Sequence, residues 1–187
     1  MIFKGIKKEY QGEYITCYSI DYETESGGKK IYEMISRDPD IKRQSELNEK
    51  KPDAVIMIMH DGAGERILLN YEFRMAVGER IYNFPAGLID EGETLCEAAA
   101  RELREETGLR LTEIKETWKE SYSAVGFSNE TGAVVLGTAE GTVEKSSSEV
   151  EEISAAWYTK AEVRGLLREH RFAARTQAYC AVWAAKD

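Results

Sequence analysis

Long apolar runs are missing from this chain, histidine is reduced to two residues, and the three cysteines form no close pair. Without about 18 consecutive apolar residues no segment reads as a bilayer span, and the opening Met1–Glu9 lacks the apolar run of a signal peptide. Cys17, Cys96 and Cys180 are odd in number and widely spaced with no CxxC. They suggest neither a disulfide framework nor a zinc cluster, and a reducing cytoplasm suits them. His60 ends an apolar strand and His170 lies in a polar helical stretch, so neither has a triad-like setting. Excess basic charge is missing as well. With 34 acidic and 25 basic residues the formal net charge is −9, which argues against nonspecific binding to nucleic acid or to an anionic membrane. A small anionic ligand bridged by cations stays compatible.

Acid is what the chain has, and it is crowded at one place. Gly87-Leu-Ile-Asp-Glu-Gly-Glu93 leads to Arg101-Glu102-Leu103-Arg104-Glu105-Glu106-Thr107-Gly108-Leu109. Thr94 with Glu97 makes a capping box, nothing between Leu95 and Thr107 breaks a helix, and Gly108 suits its stop. At about 100° per residue, Glu102, Glu105 and Glu106 share an arc that borders the apolar stripe of Leu95, Ala99 and Leu103. Like charges at these spacings repel, more so where water is partly excluded, so a cation belongs among them. Convergent glutamates without His or Cys suit a hard ion, Mg²⁺ first and Mn²⁺ second. On the acids alone, a solvated helical face is an equal reading. The preceding loop changes the balance. Phe84-Pro85-Ala86-Gly87 and Asp90-Glu91-Gly92-Glu93 set a rigid turn, two glycines free to take φ > 0, and backbone carbonyls near the helix start.

Gly87, five residues, Glu93, seven residues, then Arg101-Glu102-Leu103-x-Glu105-Glu106-x-Gly108-Leu109 resembles the complete signature of the Nudix hydrolases, without departure. The signature covers only a small part of the chain. It implies a Nudix-type α/β/α sandwich with a mixed sheet.

The rest of the chain accommodates that fold. At 187 residues it can bury about 70% of its unfolded surface in one good core. Residues 1–50 read as a small antiparallel β subdomain, with a strand over Glu13–Ile20 and a turn at Glu25-Ser26-Gly27-Gly28. Arg37 to Pro52 reads as a charged connection, and residues 51–187 as the main α/β domain. Its strands are Ala54–Met59, Arg66–Arg74, Ile81–Phe84, a loosely alternating Arg110–Ser123, Ala133–Ala139 and Ile153–Tyr158. Thr159 and Glu162 form a second capping box, and Lys160 to Ala185 is one helix or two around Arg171-Phe172.

The surroundings resemble the ADP-ribose pyrophosphatase branch. Tyr71-Glu72-Phe73-Arg74 stands where that branch has a Gln-Tyr-Arg-like strand end, and Gly126-Phe127-Ser128-Asn129-Glu130 is similar to its Pro-Gly-Phe-Ser-x-Glu segment. Two positions depart: Ala124-Val125 replaces the usual proline, and Asn83 stands where Glu is frequent. The resemblance implies metal ligation by Glu102, Glu105, Glu106 and the Ala86 carbonyl, with Gly87, Glu93, Arg101 and Gly108 structural. It implies a general base in the loop Ser146–Ile153, Glu149 before Glu151, with Glu151 as an alternative ligand for a further metal. A solvated loop is the plainer reading. Arg74, Glu130 and Phe127 are candidate substrate contacts. Arg74 serves equally as a salt-bridge partner, and Tyr71, Trp118, Tyr122 and Phe127 serve either as adenine-stacking groups or as core.

The reaction implied is hydrolysis of a nucleoside diphosphate derivative, ADP-ribose to AMP and ribose 5-phosphate, in a cytoplasmic homodimer whose N-terminal strands exchange between subunits. An extension of one subunit's own sheet is the alternative for those strands. Other functions keep their place: a nucleotide-sugar binding or sensor protein, or the same chemistry on another nucleotide-sugar, a dinucleotide or a triphosphate. No basic helix-turn-helix candidate supports a DNA-reading regulator.

Overall fold

The computed structural model describes residues 1–148 and 151–185. Two compact units emerge, Met1–Asp53 with Glu120–Gly132, and Ala54–Lys119 with Ala133–Asp187.

In the first unit, β1 (Ile2–Gln11), β2 (Thr16–Glu23) and β3 (Lys29–Ser36) form an antiparallel sheet in that order. The strand expected from Glu13 begins at Thr16, because Gly12 N donates to Ile15 O at 2.8 Å and closes a turn over the intervening residues. Tyr18, Ile20, Met34 and Ile41 make a small core, backed by Phe3, Ile6 and Leu47. The buried Tyr18 hydroxyl donates to Asp38 O at 2.8 Å. Arg37 pairs with Glu130 at 2.8 Å, and Asp53 accepts from Thr131 N at 2.8 Å, so the two segments of this unit are tied by charge as well as packing.

The second unit is built on strand alternation. Its seven-stranded sheet runs β10 (Ile153–Thr159), β5 (Arg66–Arg74), β4 (Ala54–His60), β9 (Thr131–Glu140), β8 (Arg110–Tyr122), with β6 (Glu79–Asn83) on β5 and β7 (Ala86–Leu88) on β4. Successive side chains of a strand point to opposite faces. Accordingly Val55, Met57 and Met59 pack with Ala98, Ala99 and Leu103 of α1 (Leu95–Thr107). Ile56 and Ile58 pack instead with Val163 of α2 (Lys160–Glu169) and with Cys180 and Ala184 of α3 (Ala174–Ala185). Both faces of β4 are thus covered by helix, the α/β/α layering expected. Each fully buried Leu or Ile adds about 1.5–3 kcal/mol of burial.

Both capping boxes form. Thr94 N and Thr159 N donate to Glu97 and Glu162, whose own amides donate back to the threonine hydroxyls. The C-terminal segment is two helices. It breaks because Ala173 N donates to Tyr82 O and Arg171 O accepts from Tyr82 N, both at 2.9 Å, while Phe172 stacks on Tyr82.

Candidate active site

The motif folds as strand, loop and helix. Gly92 and Gly108 take positive φ, at 84° and 73°, where a side chain would be strained. Gly87 does not; it lies in β7 paired with Val55. Its requirement is space, since a Cβ there would sit 1.9 Å from Glu102 Cδ. This corrects the expectation that both loop glycines serve φ > 0.

Arg101 clamps loop to helix. Its guanidinium donates to Glu93 from Nε at 2.9 Å and from a terminal nitrogen at 2.8 Å, and to Leu88 O at 3.0 Å. That two-pronged geometry is the strong form of the Arg–carboxylate pair, and it holds the Glu93 carboxyl below its ordinary range. The remaining nitrogen donates to Glu102 at 2.8 Å and Glu105 at 3.4 Å. Glu105 is the most exposed of the three helix acids, with its side chain 46% accessible.

Glu106 is different: it is 94% buried, at 6% relative exposure. One oxygen accepts from Asn70 Nδ2 at 2.9 Å and from Ala86 N at 3.3 Å. Burial pushes its pKa well up; Asn70 opposes the shift, while the charges of Glu72, Glu102 and Glu151 add to it. Burial likewise raises Glu102, despite Arg101. A buried carboxylate facing three others lacks positive charge, and a divalent cation with oxygen ligands is the chemical complement. Among the described residues, no three His, Cys, Asp or Glu side chains are arranged to enclose a metal ion. Glu102 and Glu105 are turned toward Arg101, so they would have to leave it to share an ion with Glu106.

Glu149 lies outside the described residues. The segment before it is anchored to the helix, with Ser147 N donating to Glu105 O at 2.9 Å. Glu151 is exposed yet felt electrostatically by Glu72, Glu102 and Glu106. Arg74 has its side chain 58% accessible and stands 3.7 Å from Glu72. Phe127 and Glu130 belong to the first unit, where Phe127 is exposed and Glu130 is held by Arg37. Tyr71 packs against Tyr82 with ring centroids 4.7 Å apart, and Trp118 and Tyr122 are part-exposed.

Residues that sequence reasoning passed over are Asn70, Glu72 and Arg80. Asn70 and Glu72 are buried polar positions two apart in an apolar strand, a spacing that puts both on the α1 face beside Leu68. That alternation was the available signal. Arg80 lies over the Tyr71 ring at 5.8 Å and donates to Glu152 at 2.5 Å, bracing the residue that leads into β10.

Comparison with known proteins gives the family. The chain is 38% identical over 122 residues to an ADP-ribose pyrophosphatase of Mycobacterium tuberculosis, covering 62% of this chain and 56% of that one. It is 34% identical over 119 residues to an NAD-capped RNA hydrolase of Mycobacterium bovis, covering 61% of this chain and 34% of the other. The chain thus matches about half of the first relative's length and a third of the second's. The crystal structure of an ADP compounds hydrolase superposes with a TM-score of 0.74 over 99% of this chain and 93% of that one, at 20% identity, a likeness of fold. The NUDIX domain model matches residues 50–179, and the chain belongs to the Nudix family.

Proposed function

We propose that the protein hydrolyses the pyrophosphate bond of a nucleoside diphosphate derivative, ADP-ribose to AMP and ribose 5-phosphate. The observation that carries this is the buried Glu106, set among Glu72, Glu102 and Glu151 on the helix whose loop Arg101 clamps. Glu102, Glu105, Glu106 and the Ala86 carbonyl would hold Mg²⁺ or Mn²⁺. Such an ion supplies charge neutralisation of the diphosphate and acidifies water.

The chain's own residues do the rest. Asn70 holds one Glu106 oxygen, leaving the other for a ligand. Arg101 and Glu93 keep the loop backbone in place. Arg74, largely exposed, offers N–H donors to a phosphate. Glu149, and after it Glu151, is the base that takes a proton from the attacking water. Glu130 and Phe127 are proposed substrate contacts, although the Arg37 pair gives Glu130 a structural use of its own. A homodimer in a reducing cytoplasm belongs to the same reading, and the three unbridged cysteines suit that compartment.

The first relative's activity favours ADP-ribose; the second favours an NAD-type dinucleotide end. The test is a panel of ADP-ribose, NADH, NAD-capped RNA and nucleoside triphosphates with Mg²⁺ or Mn²⁺, analysed for products. AMP with ribose 5-phosphate is expected. No turnover above a Glu106→Gln control would defeat the reading, and tight binding without product would favour a sensor.

A further inference from the structure

Asn83 sits on the last rung of β6, directly opposite Asn70 of β5. Opposed residues of an antiparallel pair share a face, and diagonal neighbours lie within side-chain reach. Both amides are used in the same way. Asn70 donates to the buried Glu106, and Asn83 Nδ2 donates to Glu72 Oε1 at 2.9 Å, with Glu72 itself 94% buried at 6% relative exposure. The Asn83 amide cannot rotate freely. Its Oδ1 accepts from the Thr176 hydroxyl of α3 at 2.8 Å and from Phe84 N at 2.9 Å, which leaves Nδ2 as the atom facing Glu72. Thr176 is itself fixed, being 1% exposed and accepting from Phe84 N at 3.1 Å.

Beyond Glu72 stands Arg74, with 3.7 Å between guanidinium nitrogen and Glu72 Oε1. That separation keeps the charge attraction while lying outside hydrogen-bond range, so the guanidinium retains its N–H donors for an incoming anion. We propose that Asn83 is a positioning residue: locked by Thr176, it fixes the Glu72 carboxylate, and that carboxylate aims Arg74 at a phosphate of the substrate. The inference rests on the diphosphate reading above and adds a determinant of substrate affinity to it. An apolar residue at position 72 would fill the same space without a buried charge to satisfy; among the described residues, Arg74 is the cationic side chain paired with this carboxylate, at 3.7 Å.

Two readouts test this. The Arg74 Nε–Hε resonance, assigned by its loss in Arg74→Lys, should shift and broaden in Glu72→Gln and, by the same amount or less, in Asn83→Asp and in Thr176→Val. With ADP-ribose and Mg²⁺, Asn83→Asp should raise KM about tenfold while kcat changes by less than about threefold, the scale of one weakened charged contact. The double variant Asn83→Asp with Glu72→Gln restores an amide–carboxylate bond with its polarity reversed. It should recover the thermal midpoint and keep the raised KM. An unmoved Arg74 resonance in Asn83→Asp, or a double variant that recovers both midpoint and KM, would reduce Asn83 to a structural residue. Should the wild-type chain hydrolyse no diphosphate, the functional reading falls by itself, and the Arg74 resonance still decides the positioning.

Discussion

The two faces of β5 share one backbone and carry opposite chemistry. Ile67, Leu69 and Tyr71 join the apolar layer under α2 and α3, whereas Leu68 is followed on the α1 side by Asn70 and Glu72. The first face is what stability alone would select. The second buries two carboxylates, Glu72 and Glu106; burial raises both, and the charge of Glu72 adds to the cost of ionising Glu106. Such an arrangement lowers stability and persists where function requires it. The contrast teaches where to cut: substitutions on one face should change folding, and on the other, chemistry.

The largest effect is expected on the polar face. Glu106→Gln should lower turnover on the order of 10³-fold or more, by removing a group that acts as a unit with its neighbours. The same change should raise the thermal midpoint measured without metal, because a buried acid that is costly to ionise is replaced by a neutral amide that can keep the Asn70 contact. A midpoint that falls together with activity would break the contrast. On the apolar face, Leu69→Ala should cost about 2–5 kcal/mol in denaturant unfolding, with kcat/KM per folded molecule unchanged.

Gly87→Ala probes the seam between the two. A Cβ 1.9 Å from Glu102 Cδ must displace the strand or the carboxylate, costing about 1–3 kcal/mol by overpacking. Loss of catalytic geometry should lower activity about tenfold or more. An alanine variant with wild-type kinetics would show that Glu102 can move away freely.

The smallest effect lies at the far end of β4. Burial pushes the Asp61 carboxyl up, but the Arg66 side chain and the amides of Arg66 and Glu65 outweigh it, leaving the group below its ordinary 3.8. A depressed folded-state value means this stabilisation is present above about pH 4 and is lost as the pH falls through the folded-state value. Asp61→Asn should therefore cost about 1–2 kcal/mol at neutral pH. Its unfolding curve should converge with the wild type in acid; a constant gap across pH would assign the loss to packing instead.

Legibility followed locality. The α1 helix, its Thr94–Glu97 box and its Gly108 stop depend on residues within one or two turns, and they stand where the spacing predicts. The Arg101 brace was also readable, because loop and helix adjoin in sequence. β7 was not: three residues become a strand only because β4 pairs with them. Asn83 holding Glu72 depends on a cross-strand register and on Thr176, 93 positions away, which no local pattern encodes. Strand alternation at Asn70 and Glu72 did carry a signal, two polar residues on one face of an apolar run.

The central claim is that the acids of α1 gather a divalent cation that a phosphoanhydride can share. Titration calorimetry of Mn²⁺ and Mg²⁺ into the wild type and Glu106→Gln, each with AMP present, measures it directly. Uptake by the wild type and at least tenfold weaker uptake by the variant, about 1.4 kcal/mol or more, is the expected result. Equal uptake by both proteins, or none by either, would contradict it.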